Sequence, residues 1–472
     1  MLHHCQTSGS TSIDRVSRRR LLTAGVSGML GISLVDILRA EARAGLPASK
    51  KSVINVHLDG GPPQHDTIDP KPSAPVEIRG EFHAIPTKLP GFYVSELMPK
   101  IGSIADRLAF IRSLVGSAGA HDAFQCQSGY PAADLRGVGG RPAVGSVVAK
   151  LSSTSEDPIP AFVDLMQGRP LVRNSARPGF LGQAYGPFRP DISSKFKREL
   201  EAGMVNELAA RGPNHTLALT LTQGMTFDRI SDRRNLLANM DAFRRELDSS
   251  GTMQAMDQFS QQAVNILTSG RLAVALDFEA EPLRVQELYT PDARIYQQGK
   301  QSTTSEDGHA AKKLLLARRL VQAGARCVSV SFSDFDTHSQ NFPRMRNLMP
   351  IVDHALHALF TDLEQQGMLD DVVVIAWGEF GRTPRINKEG GRDHWPEVGP
   401  AILFGGGIQG GRVVGETDRQ GATVISRPVT YQDVFATVYH CLGIDLSRAA
   451  LIDPSGRPQH LLDKADVIHE II

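Results

Sequence analysis

The sequence predicts an α/β domain: a mostly parallel central sheet with helices on both faces, carrying a helical insertion at about 168–308. Three observations predict it. Short apolar runs such as Val53–Leu58 and Val372–Trp377 are bounded by turn residues, as buried strands are. After residue 310, strand-like runs alternate with stretches of helical period, the pattern of parallel strands joined by helical crossovers. Between Gly168 and Gly308 the apolar runs give way to charged, helix-favouring sequence, which reads as a cap on the domain.

Val53–Leu58 is the first strand because its apolar run stops at Asp59-Gly60-Gly61-Pro62-Pro63, a turn composition. Residues 95–106 read as a helix, Leu108–Arg112 as a strand, Ala143–Leu151 as a helix and Ala161–Leu165 as a strand. Within the insertion, Arg229–Asp248 and Met256–Leu276 are amphipathic. There follow helix Ala310–Ala323, strand Ala325–Phe332, helix Leu348–Gln366, strands Val372–Trp377 and Ala401–Phe404, and helix Tyr431–Leu442.

Residues 1–44 read as an address. Ser17-Arg18-Arg19-Arg20-Leu21-Leu22 opens an apolar run that ends near Leu38, and Ala40, Ala42 and Ala44 supply small-residue cleavage sites. That is the layout of a twin-arginine signal, which implies the twin-arginine export machinery as a partner and a periplasmic or secreted destination. The run is rich in Gly and Ser and interrupted by Asp36, so no stable membrane span is expected after cleavage. Residues 45–472 then form one domain.

Lys and Arg balance Asp and Glu at 51 each, so no bulk charge points to nucleic acid or an anionic membrane. Once the signal and its Cys5 are removed, Cys126, Cys327 and Cys441 remain, too few and too far apart for a disulfide framework. A P-loop, a dinucleotide fingerprint, an H-E-x-x-H helix and a G-x-S-x-G elbow are all missing from the sequence.

Three polar clusters sit where strands end, which is where open parallel sheets place their chemistry. The first is Asp59 with His65, Asp66 and Asp69, equally readable as ordinary loop composition. The second is Asp336-Thr337-His338, whose i, i+2 spacing in an extended loop turns both side chains the same way, toward an ion or toward solvent. Such hard-to-borderline ligands suit a divalent metal ion such as Zn, Mn or Ca. The third is Glu379 with Arg382, followed by Arg392-Asp393-His394-Trp395. Guanidinium forks there suit a phosphate or sulfate group, and Trp395 suits a pocket wall.

His121 with Ser128-Gly129-Tyr130-Pro131, Leu315–Gly324, Asp336-Thr337-His338, Gly378–Pro384 and Arg392–Pro396 together resemble domain-of-unknown-function family 1501, secreted proteins related to the alkaline phosphatase and sulfatase superfamily. The resemblance runs from about Val53 to Leu442 and implies an alkaline-phosphatase-like sheet with metals at the strand ends. It implies Asp59, Asp336, His338, Glu379 and His394 as ligands, with Asp393 beside the last. The superfamily's Asp-His or Asp-Asn after the strand is here Glu379-Phe380, and Cys126-Gln-Ser-Gly-Tyr130 lacks the Pro and Arg of a formylglycine site. Ser117 is the hydroxyl nearest the expected nucleophile position, and His121 or Asp122 the candidate base, with His121 also readable as a ligand. Arg382 or Arg392 would neutralise the oxyanion. The implied function is a metal-dependent hydrolase of an anionic small-molecule or polysaccharide ester, phosphate or sulfate. The alternative is a non-catalytic relative binding an anionic polysaccharide or an envelope partner.

Overall fold

A computed structural model of the chain describes residues 51–137, 139–154, 157–169, 176–196, 266, 270–292, 304 and 306–472. Residues 1–44, expected from the sequence to be an export signal, and the stretch 229–248 lie outside these residues, as does most of 256–276.

Eight strands form the central sheet. In chain order they are β1 (Ser52–Leu58), β2 (Ala109–Val115), β3 (Phe162–Asp164), β4 (Cys327–Phe332), β5 (Val372–Trp377), β6 (Gly399–Phe404), β7 (Arg412–Val414) and β8 (Val429–Thr430). Side by side the order is β7-β2-β6-β5-β1-β4-β3, with β8 beside β2. All pairings are parallel except those of β6, which runs antiparallel between β2 and β5. The mostly parallel α/β sheet expected from the sequence is therefore present.

Alternation along β1 shows how the two faces are covered. Ile54, Val56 and Leu58 pack into one apolar cluster with helices α2 (Lys312–Ala323) and α3 (Asn341–Gln365). Val53 packs on the opposite face with α1 (Val144–Ser152) and α4 (Tyr431–Cys441). Each fully buried aliphatic side chain contributes about 1.5–3 kcal/mol, so a strand buried on both faces is firmly held. A capping box starts α4, with Thr430 accepting from the Asp433 amide and the Asp433 side chain accepting from Thr430.

One expected element is different. Residues 95–106 are not a single helix: Tyr93–Ser95 pairs as a strand with Ala84–Pro86, a short helix spans Pro99–Ser103, and a 3-10 turn follows at Ala105–Arg107. Pro99 has no amide hydrogen to donate, so a helix can begin there but cannot run through it. Of the insertion, the described residues show only short pieces, among them helices Arg271–Leu276 and Leu283–Leu288.

The strand directions place the site. Since β1, β4 and β5 are parallel neighbours, the loops bearing Asp59, Asp336 and Glu379 all leave the sheet at one edge. Strand β2 delivers the Ser117–Asp122 segment to that edge, and antiparallel β6 enters from it, which brings in the preceding Asp393 and His394. The β1 turn lies flat against the β4 loop: Gly60 has φ 106°, and a Cβ on it would sit 2.3 Å from the Asp336 amide nitrogen. Glu379 completes the contact by accepting from the Gly60 amide at 2.9 Å.

Candidate metal centre

Two groups of potential ligands occur at this edge among the described residues, and within each the ligand atoms lie within 4.8 Å of one another. The inner group is His57, Asp59 and Glu379, all buried. Alternation in β1 turns His57 toward the same face as Val53, and Asp59 follows two residues later. His57 Nε2 lies 3.5 Å from Glu379 Oε2 and 3.9 Å from Asp59 Oδ1. Both ring nitrogens of His57, and Oε2 of Glu379, have no hydrogen-bond partner. Buried polar atoms left in this state cost about 1–3 kcal/mol each, so they call for a ligand. Burial keeps His57 neutral, lowering its pKa despite the nearby Glu379 charge. Burial opposes ionisation of Glu379 as well, but the hydrogen bond to His121 and the charge on that ring outweigh it and hold the carboxyl below its ordinary value.

The outer group is His121, Asp336 and His394. His121 Nε2 is 3.0 Å from Asp336 Oδ2, and His394 Nε2 is 3.4 Å from Asp336 Oδ1. His338 joins them, with Nε2 3.1 Å from Asp336 Oδ1 and 3.1 Å from His394 Nε2. Each of the three imidazoles is held by its other nitrogen. The Nδ1 of His121 lies 3.0 Å from Glu379 Oε1, that of His338 2.6 Å from Asp393 Oδ1, and that of His394 3.0 Å from the Gly119 carbonyl. An acceptor at Nδ1 would keep the proton there while an ion took the place of the one at Nε2, the arrangement by which metal-ligating histidines are oriented. Phe380 stacks on the His394 ring at 4.1 Å between centroids, adding a flat support.

Positive charge is drawn to this group. Burial alone would raise the Asp336 pKa, but hydrogen bonds from His121, His394 and Arg382 hold it far below the usual carboxylate range. Burial would likewise lower His121, yet its bonds to Asp336 and Glu379 push it up to about 9. The Arg169 guanidinium also lodges here, with Nη1 2.9 Å from either ring nitrogen of His121 and 3.2 Å from Asp336 Oδ2. A cluster that attracts cations, with three imidazoles and a carboxylate converging, matches the donor set of a zinc-like ion.

The family model for proteins of unknown function designated DUF1501 matches residues 50–472. The chain belongs to that family. No curated protein matches this DUF1501 chain. Among solved structures, the sulfatase PsFucS1 from Pseudoalteromonas sp. is 12% identical, covering 89% of this chain and 72% of that chain at a TM-score of 0.33. The lipoteichoic acid synthase LtaP from Listeria monocytogenes is 10% identical, covering 84% of this chain and 73% of that chain at 0.32. A phosphonate monoester hydrolase of Agrobacterium radiobacter is 13% identical, covering 83% of this chain and 74% of that chain at 0.28. Similarity at this level carries no argument about chemistry, and the fold of the DUF1501 chain rests on its own sheet.

Of the residues singled out in the sequence, Asp59, Asp336, His338, Glu379, His394 and His121 come together. Asp393 reaches the site only through His338, whose hydrogen bond holds the Asp393 pKa down. Ser117 Oγ donates to the Glu379 carbonyl at 2.6 Å and accepts from the Gly119 amide at 3.0 Å, so its proton is committed to shaping the loop. Asp122 caps the Ala132 amide, and burial raises its pKa. Arg382 and Arg392 are fully buried. Arg382 spends its donors on the carbonyls of Gly60, Gly61 and Arg392 and on Asp336, and Arg392 on those of Ile78, Thr383 and Pro384.

The remaining acids of the first cluster turn out to brace loops. Asp66 accepts from Asn341 at 2.7 Å and faces Arg392 at 3.4 Å, while Asp69 holds Lys71 at 2.9 Å. Trp395 is half-buried, with its indole donated to the Ala422 carbonyl at 2.7 Å. Reading the sequence missed His57 and Arg169. His57 stands two residues before Asp59, the same i, i+2 spacing as Asp336 and His338, and that spacing was its only signal.

Proposed function

We propose that this DUF1501 chain is an exported hydrolase of an anionic ester, phosphate or sulfate, that works with a divalent ion held by His121, Asp336, His338 and His394. The observation that carries the reading is the convergence of three Nε2 atoms on Asp336, each ring anchored at Nδ1 by a separate acceptor. A bound divalent ion would supply Lewis acidity toward an ester oxygen and acidify a water.

The protein's own groups would do the rest. Asp336, clamped by Arg382 at 2.7 Å, offers a carboxylate whose position is fixed from behind. Arg169 has a lightly exposed side chain at the front of the outer group, unlike Arg382 and Arg392, and is the guanidinium placed to meet an oxyanion. Burial of His57 and Glu379 keeps bulk water from the floor of the site. The Arg18-Arg19 pair ahead of an apolar run supports export by the twin-arginine route; no helix among the described residues is long and apolar enough to cross a membrane.

The committed hydroxyl of Ser117 favours a second reading, a relative that binds an anionic polysaccharide without turning it over. Elemental analysis of the purified mature chain, of His338→Ala and of His394→Ala, with assays on aryl phosphates and aryl sulfates, separates the readings. The hydrolase requires at least about one tightly held divalent ion per chain, loss of that ion in both variants, and turnover that disappears with it. Metal without turnover of these or polysaccharide esters supports the binding protein; unchanged metal content in both variants removes the ligand assignment.

A further inference from the structure

Asp336 is shared by two guanidinium groups that are held very differently. Arg382 grips Oδ1 at 2.7 Å from a fully buried position, with its other donors committed to the carbonyls of Gly60, Gly61 and Arg392. Arg169 meets Oδ2 at 3.2 Å from the side nearer solvent, and the same Nη1 lies 2.9 Å from either ring nitrogen of His121. The backbone that delivers it is anchored. The Leu165 amide donates to the Ser329 carbonyl at 2.8 Å and the Gln167 amide to Ser331 Oγ at 3.0 Å, which ties this loop to β4, the strand that also leads to Asp336. Gly168, at φ 69°, then turns the chain, and Arg169 follows. Its contacts are with two of the proposed ligands of the outer group, whose atoms His121 Nε2 and Asp336 Oδ2 lie only 3.0 Å apart.

An ion bound by His121 and Asp336 would draw on the same atoms that Arg169 meets. Two cations on one pair of ligand atoms repel each other. We infer that Arg169 is a tethered rival of the ion: it neutralises Asp336 in the metal-free chain, yields His121 and Asp336 when the ion binds, and then turns its donors to an oxyanion at the mouth of the site. This rests on the metal reading above and adds an order of events, with metal binding preparing the anion site. Since coupling between two ligands is reciprocal, a bound oxyanion must tighten the ion by the same factor. Arg382 cannot take this part, because every nitrogen of its fork is engaged with an acceptor in the buried wall of the site. Removing the Arg169 guanidinium should therefore strengthen metal binding, whereas removal of a merely supporting side chain weakens it.

Zinc affinity of the full mature chain, measured by competition with a chromophoric chelator at constant ionic strength, provides the test. Without an oxyanion, Arg169→Met should bind zinc about tenfold more tightly than wild type, since no charged hydrogen bond has to be given up first. A general loss of structure could not produce that gain. Inorganic phosphate, or separately inorganic sulfate, should tighten zinc binding to wild type by about fivefold or more and leave Arg169→Met within about twofold. Melting curves should place metal-free Arg169→Met below metal-free wild type, with a larger rise on adding zinc. Should Arg169→Met fail to fold, Arg169→Gln, equally neutral, carries the same comparison. Zinc affinity in the neutral variant equal to or below that of wild type would overturn the rivalry while the metal reading stands. A tightening by oxyanion that is equal in variant and wild type, or absent from both, would overturn the anion role. If wild type binds no zinc, the metal reading falls and the inference with it.

Discussion

Asp393 holds His338 from outside: its Oδ1 lies 2.6 Å from His338 Nδ1, while Nε2 of the same ring points inward to Asp336 at 3.1 Å. Asp393 thus acts on the site through an imidazole. Asp393→Asn should weaken zinc binding by about tenfold, and His338→Ala, which removes the ligand itself, should weaken it more. Isothermal titration of both variants measures the difference; equal losses would make Asp393 a ligand in its own right.

Stability of the metal-free protein should depend on pH in a direction set by His121. Its folded pKa is raised from 6.5 to about 9, so its contribution is fully present below about 6.5 and lost as pH rises through about 9. Asp336 is depressed, so its contribution is present above its ordinary 3.8 and lost only under strong acid. His57, lowered by burial, adds the opposite slope, losing stability as pH falls below 6.5. Calorimetry between pH 7 and 10 should show the melting temperature falling. His121→Gln should flatten that fall, and an unchanged profile in this variant would assign the slope elsewhere.

Gly60 has φ 106° and no room for a Cβ against the Asp336 amide. Gly60→Ala should cost about 1–3 kcal/mol from backbone strain, and more where the loops are pushed apart. Urea denaturation would register the stability change, and zinc titration the separation of Asp59 from Asp336. A variant with wild-type stability would show that the β1 turn can relax.

The pair Lys313 and Glu306, 2.8 Å apart and almost wholly buried, clamps the end of β4. Glu306 also accepts from the Ser333 amide at 2.9 Å, and Lys313 donates to the Ser331 carbonyl at 3.2 Å, three and five residues before Asp336. Glu306→Ala would strand a buried ammonium and should cost about 3–5 kcal/mol. The double change Glu306→Leu with Lys313→Met should be much milder, as chemical denaturation would show.

Much of the candidate site was legible because its residues stand at strand ends. Asp336 and His338 announce themselves by their spacing outside an apolar strand. His57 has the same spacing to Asp59, but it lies within Val53–Leu58, where a histidine is more readily explained as part of the core. Arg169 looks like any cation in a charged block until the fold carries it to His121. Asp66 and Asp69 were as suggestive as Asp59, yet they meet Asn341, Arg392 and Lys71 instead.

The succession of the main strands and helices, apart from the helix expected over 95–106 and the short strands Arg412–Val414 and Val429–Thr430, and the side chains found where strands end, were determined by the sequence alone, because hydrophobic period and turn composition act over a few residues. Which nitrogen of each histidine faces the centre, and which acids are ligands and which are braces, was decided only by the tertiary structure. Those choices depend on acceptors at Gly119, Glu379 and Asp393, which long-range packing brings to His394, His121 and His338.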